Sequence, residues 1–331
     1  MEINSFKFII IILIIINGYL TIKINTIQKF FANKSKTNNL KIIHNLYKEF
    51  LQLYIENREK FYSKGREYIM KKRGSEFNES NLVTFQDKLN YLLIHESPEN
   101  KTNIVDKILL RNYSIKILGK DICVPILKIY NNVDEINLEE LPEKFILKCN
   151  HGSGMNIFCT DKSKFNLIEA KNLLKEWMNI NYGLTKFEYQ YLNVQKKVFA
   201  EKFLEEEITN YKFSCFNGEP KYIRVKGKIK GINVYNIYTI NWTLTNFELY
   251  YSYYKRAEEN QFKKPKNLKK MTHYARLLSS NFCYCRVDFY EIKGIIYLGE
   301  LTFSPFNTQA KYKNKETDIY FGNLLNISKF K

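Results

Sequence analysis

The 331-residue chain predicts an α+β fold, with a helical region first and then mainly antiparallel sheet interrupted by helices. Three observations carry this. Apolar residues recur at helical spacing through the first third of the chain. Short β-rich runs alternate with helical stripes from Val124 onward. Between two of those runs stands Asn217-Gly218, a strong type I′ hairpin signal.

The elements follow in order. From about Thr26 to Lys72 the pattern is helical and free of proline, with Leu40, Ile43, Leu46, Phe50 and Leu53 on one face. Gly74 to Ser80 reads as a break. A second helical stretch is expected from Phe85 to Leu118, with Leu109, Leu110, Tyr113, Ile117 and Leu118 at helical spacing and Gly119 as its stop. Strands are expected at Val124–Tyr130, Phe145–Cys149, Ile157–Thr160, Val198–Leu204, Tyr211–Phe216, Lys221–Val225, Val234–Ile240, Cys283–Tyr290 and Ile295–Thr302. Helices at Leu167–Met178 and Leu268–Leu278 separate them; Leu268, Met271, Ala275 and Leu278 form the stripe of the second. No internal repeat is present.

Composition excludes several classes. Hydrophobic residues make up 45% and charged residues 26%, enough to bury a core, so the chain is not a disordered tail. Only 13 Gly and 6 Pro rule out collagen-like and low-complexity readings. No unbroken apolar run of about 20 residues exists, which excludes a multi-span membrane protein. The formal charge of +18 fits a polyanionic partner, or simply a lysine-rich composition, since the lysines are scattered rather than gathered in a stripe. None of the six cysteines makes a CxxC pair, and a reducing compartment is the simplest reading.

Phe8 to Ile16 is an apolar run that extends towards Ile24, with Lys23, Lys29, Lys34 and Lys36 after it. Residues 1–24 read as an anchor or membrane-associated segment, a buried first helix or a cleaved signal; an anchor would leave the body on the cytoplasmic side. The expected localisation is cytoplasmic, with membrane association through residues 8–24 open.

Two stretches could carry chemistry. The first, Lys148-Cys149-Asn150-His151-Gly152-Ser153-Gly154, places a lysine at a strand end before a small-residue loop. Backbone N–H groups there could approach a phosphate that the ammonium neutralises, although a ligand-free glycine-rich hairpin has the same pattern. The second is Arg286-Val287-Asp288 with Glu300-Leu301-Thr302. If Gly294 is the middle of a three-residue turn, Asp288 lies opposite Glu300 and Arg286 opposite Thr302, an arrangement that suits a hard cation such as Mg²⁺. A two-residue turn would put the acids on opposite faces, and a solvated hairpin is the plain alternative. Glu201 to Leu204 ends a strand and could offer free backbone groups to a flat base, or be a surface turn. Of the four histidines only His151 lies in such a loop, to touch phosphate or sit on the surface. There is no His-Glu-x-x-His, no Gly-x-Ser-x-Gly and no Walker loop.

Taken in order, Asp106-Lys107 through Arg111, Leu141 through Gly154, Tyr211-Lys212 through Gly218, Arg286-Val287-Asp288 and Gly299 through Pro305 resemble the ATP-grasp superfamily, in its TupA-like branch linked to teichuronopeptide synthesis. The resemblance runs from about Phe85 to Gly322. It implies a two-lobed fold: an N-terminal part at 83–140 after a helical region at 25–82, a small nucleotide-covering lobe at 141–204 and a large lobe with the metal site at 205–331. It implies ATP and Mg²⁺ as cofactors. Lys107 and Lys148 would contact phosphates under a loop of His151, Gly152, Ser153 and Gly154. Glu201, Lys202, Phe203 and Leu204 would hold adenine, with an acid among Glu205 to Glu207 at the ribose. Asp288, Glu300 and Thr302 would be metal ligands, Thr302 standing where many relatives have Asn. Arg286 and Lys212 would face the reacting carboxylate.

The implied activity is a carboxylate–amine ligase, acting through an acyl phosphate on a cell-surface polysaccharide or peptide–sugar precursor. Its partners would be a carboxylate, which an excess of positive charge suits if it is an anionic sugar acid, and an amine acceptor. Nucleic acid is not expected, since no RNP, zinc-finger or helix-turn-helix signature is present. The sequence departs from the family pattern at Asn210, where the family has Asp, and at Phe306-Asn307-Thr308, where it has Gly-Ser-Gly. Two other readings compete: a non-catalytic basic binding protein, a degenerate ATP-grasp, for an anionic polymer or nucleic acid, and a glycosyltransferase of the same pathway, for which no Asp-x-Asp is found.

Overall fold

The computed structural model describes residues 78–96, 99–186, 188–205, 207–250, 254–308 and 312–328. The apolar segment at 1–24 and the helix expected from Thr26 to Lys72 lie outside them. Among the described residues no helix is long and apolar enough to cross a membrane. The chain divides into two compact units. Of the first, Met1–Asn81 with Leu93–His95, the described part holds a turn closed by the Asn81 N–H on the Asn78 carbonyl (3.0 Å) and a His95–Glu79 contact of 2.9 Å.

The second unit, Leu82–Leu92 with Glu96–Lys331, carries both sheets. The helix α1 (Phe85–His95) begins in this unit, where Thr84 and Asp87 form a reciprocal capping box at 3.1 and 3.0 Å. The single helix expected from Phe85 to Leu118 is instead three: α1, α2 (Glu99–Val105) and α3 (Leu110–Leu118). Glu96 is extended after α1. After α2, the Asp106 carboxylate takes the N–H groups of Ile108 (2.8 Å) and Leu109 (3.3 Å), an Asx-type turn that competes with helix continuation. Gly119 ends α3 in the left-handed conformation, φ 72°.

The smaller sheet has the order β1–β4–β2–β3, all antiparallel: β1 (Ile126–Tyr130), β2 (Phe145–Cys149), β3 (Asn156–Cys159) and β4 (Val198–Lys202). β1 precedes the boundary expected at 141 yet pairs directly with β4, because an antiparallel partner can come from any distance along the chain. Helix α4 (Leu167–Asn179), capped by Asn166 on the Glu169 N–H (3.1 Å), buries Ala170 and Leu174 against Phe145, Leu147 and Ala200. A short α5 (Tyr182–Lys186) follows it.

The larger sheet has the order β10–β9–β5–β6–β7–β8. Its strands are β5 (Asn210–Phe216), β6 (Glu219–Ile229), β7 (Ile232–Thr239), β8 (Lys255–Arg256), β9 (Tyr284–Ile292) and β10 (Ile295–Thr302). Only β7–β8 is parallel. Asn217 (φ 50°) and Gly218 (φ 83°) make the expected hairpin turn between β5 and β6. One face is apolar: Phe213, Cys215, Ile223, Val287 and Phe289 pack against Met271, Ala275 and Leu278 of α6 (Leu268–Ser279). Each fully buried Leu or Met there contributes roughly 1.5–3 kcal/mol. The alternate residues face the other way. Lys212, Arg224, Lys226, Arg286, Asp288, Glu300 and Thr302 share that second face, as the register pairs Lys212 with both Asp288 and Arg224. α7 (Lys315–Leu324) closes the described chain against the start of α1, where Gly322 meets the Val83–Phe85 backbone. All six cysteines are free.

Candidate nucleotide and metal site

The turn between β9 and β10 has two residues, Lys293 (φ 50°) and Gly294 (φ 78°), not the three on which the pairing of acids was conditioned. Asp288 nevertheless stands opposite Glu300, and Arg286 opposite Thr302. The ladder runs regularly from Ile292–Ile295 to Phe289–Leu298 and then slips by one residue at a bulge containing Gly299. That extra residue keeps Leu298 in the core (1% exposed) while turning Glu300 to the polar face. Glycine is needed there because a Cβ would lie 2.9 Å from the Tyr290 ring and hydroxyl.

The bulge gathers five of the expected side chains. Arg286 donates through Nε to Asp288 Oδ1 (2.6 Å), and through Nη2 to Asp288 Oδ2 (2.7 Å), Glu300 Oε1 (2.9 Å) and Thr302 Oγ1 (3.0 Å). Lys212 donates to Asp288 Oδ2 from the neighbouring strand. Asp288 is 1% exposed. Burial alone would raise its pKa, but Arg286 and Lys212 outweigh burial and hold the carboxyl well below the ordinary carboxylate range. Burial, then the adjacent Arg286 charge, lowers the pKa of Lys212, and Asp288 opposes them.

A second cluster lies at the smaller sheet and the turn after α2. Lys148 on β2 pairs with Glu201 on β4. Lys107 donates to the Gly152 carbonyl; burial lowers its pKa, with Glu300 opposing and Lys148 adding to the shift. The Lys107 ammonium is thus within electrostatic reach of both Lys148 and Glu300. Tyr290 bridges the clusters in the same sense: burial raises its phenol pKa, and Glu300 and Glu201 raise it further.

The loop after β2 differs from expectation at His151. The residue is 1% exposed, so it is not a surface group. Its Nε2 bonds the Trp177 carbonyl (3.1 Å), and Nδ1 is buried with no hydrogen-bond partner among the described residues. A carbonyl only accepts, so the proton sits on Nε2, and burial moves the ring's pKa down to about 4. Gly152 is also buried, and a Cβ would lie 2.7 Å from the Tyr182 ring. Ser153 and Gly154 are exposed, Gly154 with φ 79°. β4 ends at Lys202, whose N–H donates to the Pro125 carbonyl (2.9 Å). Phe203 and Leu204 run beyond the sheet half-buried, with no backbone hydrogen bond found among the described residues. Glu205 and Glu207 are exposed, while Glu206 lies outside the described residues.

Two buried polar residues that the sequence leaves unassigned stand near these clusters. Asn150 donates to Asp106 Oδ2 (2.9 Å) and the Gln195 carbonyl (2.9 Å) and accepts from the Lys197 N–H (2.8 Å), which locks the Lys107 turn to the end of β2. The signal was present, since Asp106 and Asn150 stand inside the quoted motifs. Glu188 had none. Buried, it accepts from Ser304, which accepts from Gln190 (3.0 Å), and it also meets the Tyr182 hydroxyl.

The residues fit a divalent cation in donor chemistry. Three hard oxygens, from Asp288, Glu300 and Thr302, converge on the single nitrogen Arg286 Nη2. No group of three His, Cys, Asp or Glu side chains exists among the described residues, so the two acids need Thr302 or ligand oxygens to complete a coordination sphere.

No curated protein is matched by the sequence. Among solved structures the chain resembles a D-alanine–D-alanine ligase from Bacillus anthracis, at 17% identity and TM-score 0.42 over 66% of this chain and 64% of that one. It resembles an L-amino acid ligase from Bacillus licheniformis at 14% and 0.41, over 61% and 43%. It also resembles the ATP-grasp ligase PsnB, solved with minimal precursor, Mg and ADP, at 11% and 0.36, over 82% and 67%. The chain spans less than two thirds of the length of the first two, and all three are likenesses of fold rather than of chemistry. A sequence-family profile described as TupA-like ATPgrasp matches residues 87–326, more than two thirds of the chain and the whole of both sheets. The α+β architecture, mainly antiparallel with helices ahead of the first strand, is that of ATP-grasp proteins, and this chain belongs to the TupA-like ATP-grasp family.

Proposed function

We propose that the chain is an ATP- and Mg²⁺-dependent carboxylate–amine ligase acting on a precursor of a cell-surface polysaccharide or peptide–sugar polymer. The observation that supports this best is the convergence of Asp288, Glu300 and Thr302 on one cationic nitrogen, with Lys107 and Lys148 close by. Asp288 and Glu300, helped by Thr302, would hold Mg²⁺, which supplies charge neutralisation on the transferring phosphoryl group. Lys107 and Lys148 would grip the phosphates beneath Ser153 and Gly154. The backbone of Phe203 and Leu204, without a hydrogen bond among the described residues, would take the adenine edge, with Glu201 and Lys202 at its side.

A substrate carboxylate attacking the γ-phosphorus expels ADP and becomes an acyl phosphate; an amine then displaces phosphate to leave an amide. Arg286 and Lys212 would orient the carboxylate and stabilise the negative charge that develops beside it. This route needs no protein nucleophile, and the buried thiols of Cys149 and Cys215, raised to about 12 by burial, offer none.

The test is phosphate and ADP release by the purified chain with Mg²⁺, dependent on both a carboxylate and an amine. Nucleotide binding should fall at least tenfold in Lys148→Ala and persist in Lys164→Ala, whose side chain is 83% exposed. Equal binding by the two variants would remove the site.

A further inference from the structure

On the polar face of the larger sheet, Asp288, Lys212 and Arg224 form one row across β9, β5 and β6, with Lys226 two residues farther along β6. At a strand spacing of about 4.8 Å, the Arg224 backbone lies roughly 10 Å from that of Asp288. The order across the sheet is directional. Glu300, the acid that Lys107 senses, is on β10; Arg224 and Lys226 are on the far side of Arg286 and Lys212.

These two cations differ from the others in the cleft. Lys107, Lys148, Lys212 and Arg286 each donate to an oxygen. The side chains of Arg224 and Lys226 have no hydrogen bond or ion pair among the described residues, and Arg224 Nε is buried without a partner there. Aromatic rings hold both: Phe306 lies 4.3 Å from the Arg224 guanidinium, and Tyr254 lies 3.8 Å from Lys226 Nζ. Phe306 itself has φ 55° and opens a run of three left-handed residues with Asn307 (φ 54°) and Thr308 (φ 55°). That run is held by Asn307 on the Lys186 carbonyl (2.8 Å) and Thr308 on Asn90 (2.8 Å). Non-glycine residues in this region cost energy and persist where the surroundings impose them, often at ligand clamps. Burial, then Lys212 and Arg224, lowers the Lys226 pKa to about 7, with Asp288 opposing them.

We infer that Arg224 and Lys226, walled by Phe306 and Tyr254, form a subsite for a second oxyanion of the carboxylate substrate, on the side of the metal acids away from the nucleotide. This rests on the ligase reading. The substrate is then a dianion, its second carboxylate or phosphate several bonds from the reacting carboxylate.

The experiment is calorimetric titration of the full chain, saturated with Mg²⁺ and AMP-PNP at constant ionic strength, with butyrate, glutarate and 3-phosphonopropionate. A second charge-assisted contact should make glutarate or the phosphonate about tenfold tighter than butyrate, and whichever gains more identifies the second group as carboxylate or phosphate. The preference should vanish in Arg224→Met/Lys226→Met with AMP-PNP affinity unchanged. It should survive in Arg224→Lys and in Lys228→Met, an exposed lysine on the same strand. Equal binding of mono- and dianions, or a preference that outlasts the double variant, overturns the subsite. If AMP-PNP does not bind at all, the ligase reading fails, and titration without nucleotide then judges the subsite alone.

Discussion

Asp288→Asn is the sharpest probe of how the buried Arg286–Asp288–Lys212 cluster is held together. Asp288 accepts two contacts from Arg286 and one from Lys212 while 1% exposed. Removing its charge leaves both cations with Glu300 as their nearest acid. Taking one partner from a buried ion pair costs about 3–5 kcal/mol, and the remaining amide oxygen can still accept, so a loss of about 3 kcal/mol is expected at pH 7. Adding Lys212→Met withdraws one stranded cation and should restore at least about 1 kcal/mol. The assay is urea unfolding followed by circular dichroism.

Acid titration adds an independent sign. The native carboxyl is held below its unfolded value of about 3.9, so the unfolded chain binds the proton first as pH falls. The contribution is therefore complete above about pH 5 and shrinks below about pH 4, by up to roughly 1.4 kcal/mol per pH unit. The gap between wild type and variant should narrow over that range. A variant within about 1 kcal/mol of wild type at pH 7 would refute the reasoning, as would a gap that stays constant down to pH 2.

Three further outcomes are expected. Gly299→Ala should cost about 1–2 kcal/mol in urea unfolding, because its Cβ meets the movable end of Tyr290. That cost should largely disappear in a Tyr290→Ala background. Gly322→Ala should cost about 3 kcal/mol by the same assay, because its Cβ would lie 2.4 Å from the Val83 carbonyl oxygen, a backbone atom that cannot swing aside. Stability should rise with pH between about 4 and 6.5 through His151, since the unfolded ring binds its proton throughout that window and the native ring does not. A stability–pH profile of His151→Gln should lack this increment.

The strands were readable because alternation of apolar and polar residues is local: Tyr211 to Phe216 shows its two faces without help from the rest of the chain. The Asn217-Gly218 turn was legible for the same reason. What alternation could not show was the slip at Gly299, which depends on Tyr290 lying across the hairpin. Turn length alone would have split Asp288 from Glu300. The long helix from Phe85 breaks first near Pro98, which cannot continue it, and again where Asp106 turns its carboxylate to local N–H groups, a choice that Asn150, 44 residues away, reinforces. His151 carried no hint of burial, because its partner is a backbone carbonyl at Trp177. Arg224 and Lys226 look in sequence like any alternating basic strand, and that their side chains pair with no acid among the described residues appears only once four strands lie side by side.

The guanidinium of Arg286 occupies the spot where three oxygens meet, and this has a thermodynamic consequence for loading. A divalent ion arriving alone must evict a side chain that already neutralises the acids, so its intrinsic affinity should be poor. Nucleotide phosphates would offer the displaced Arg286 and Lys212 somewhere else to donate, so ion and nucleotide should each enter more readily in the other's company. On the ligase reading proposed above, the resting cluster would be a latch that keeps the acids satisfied until both arrive.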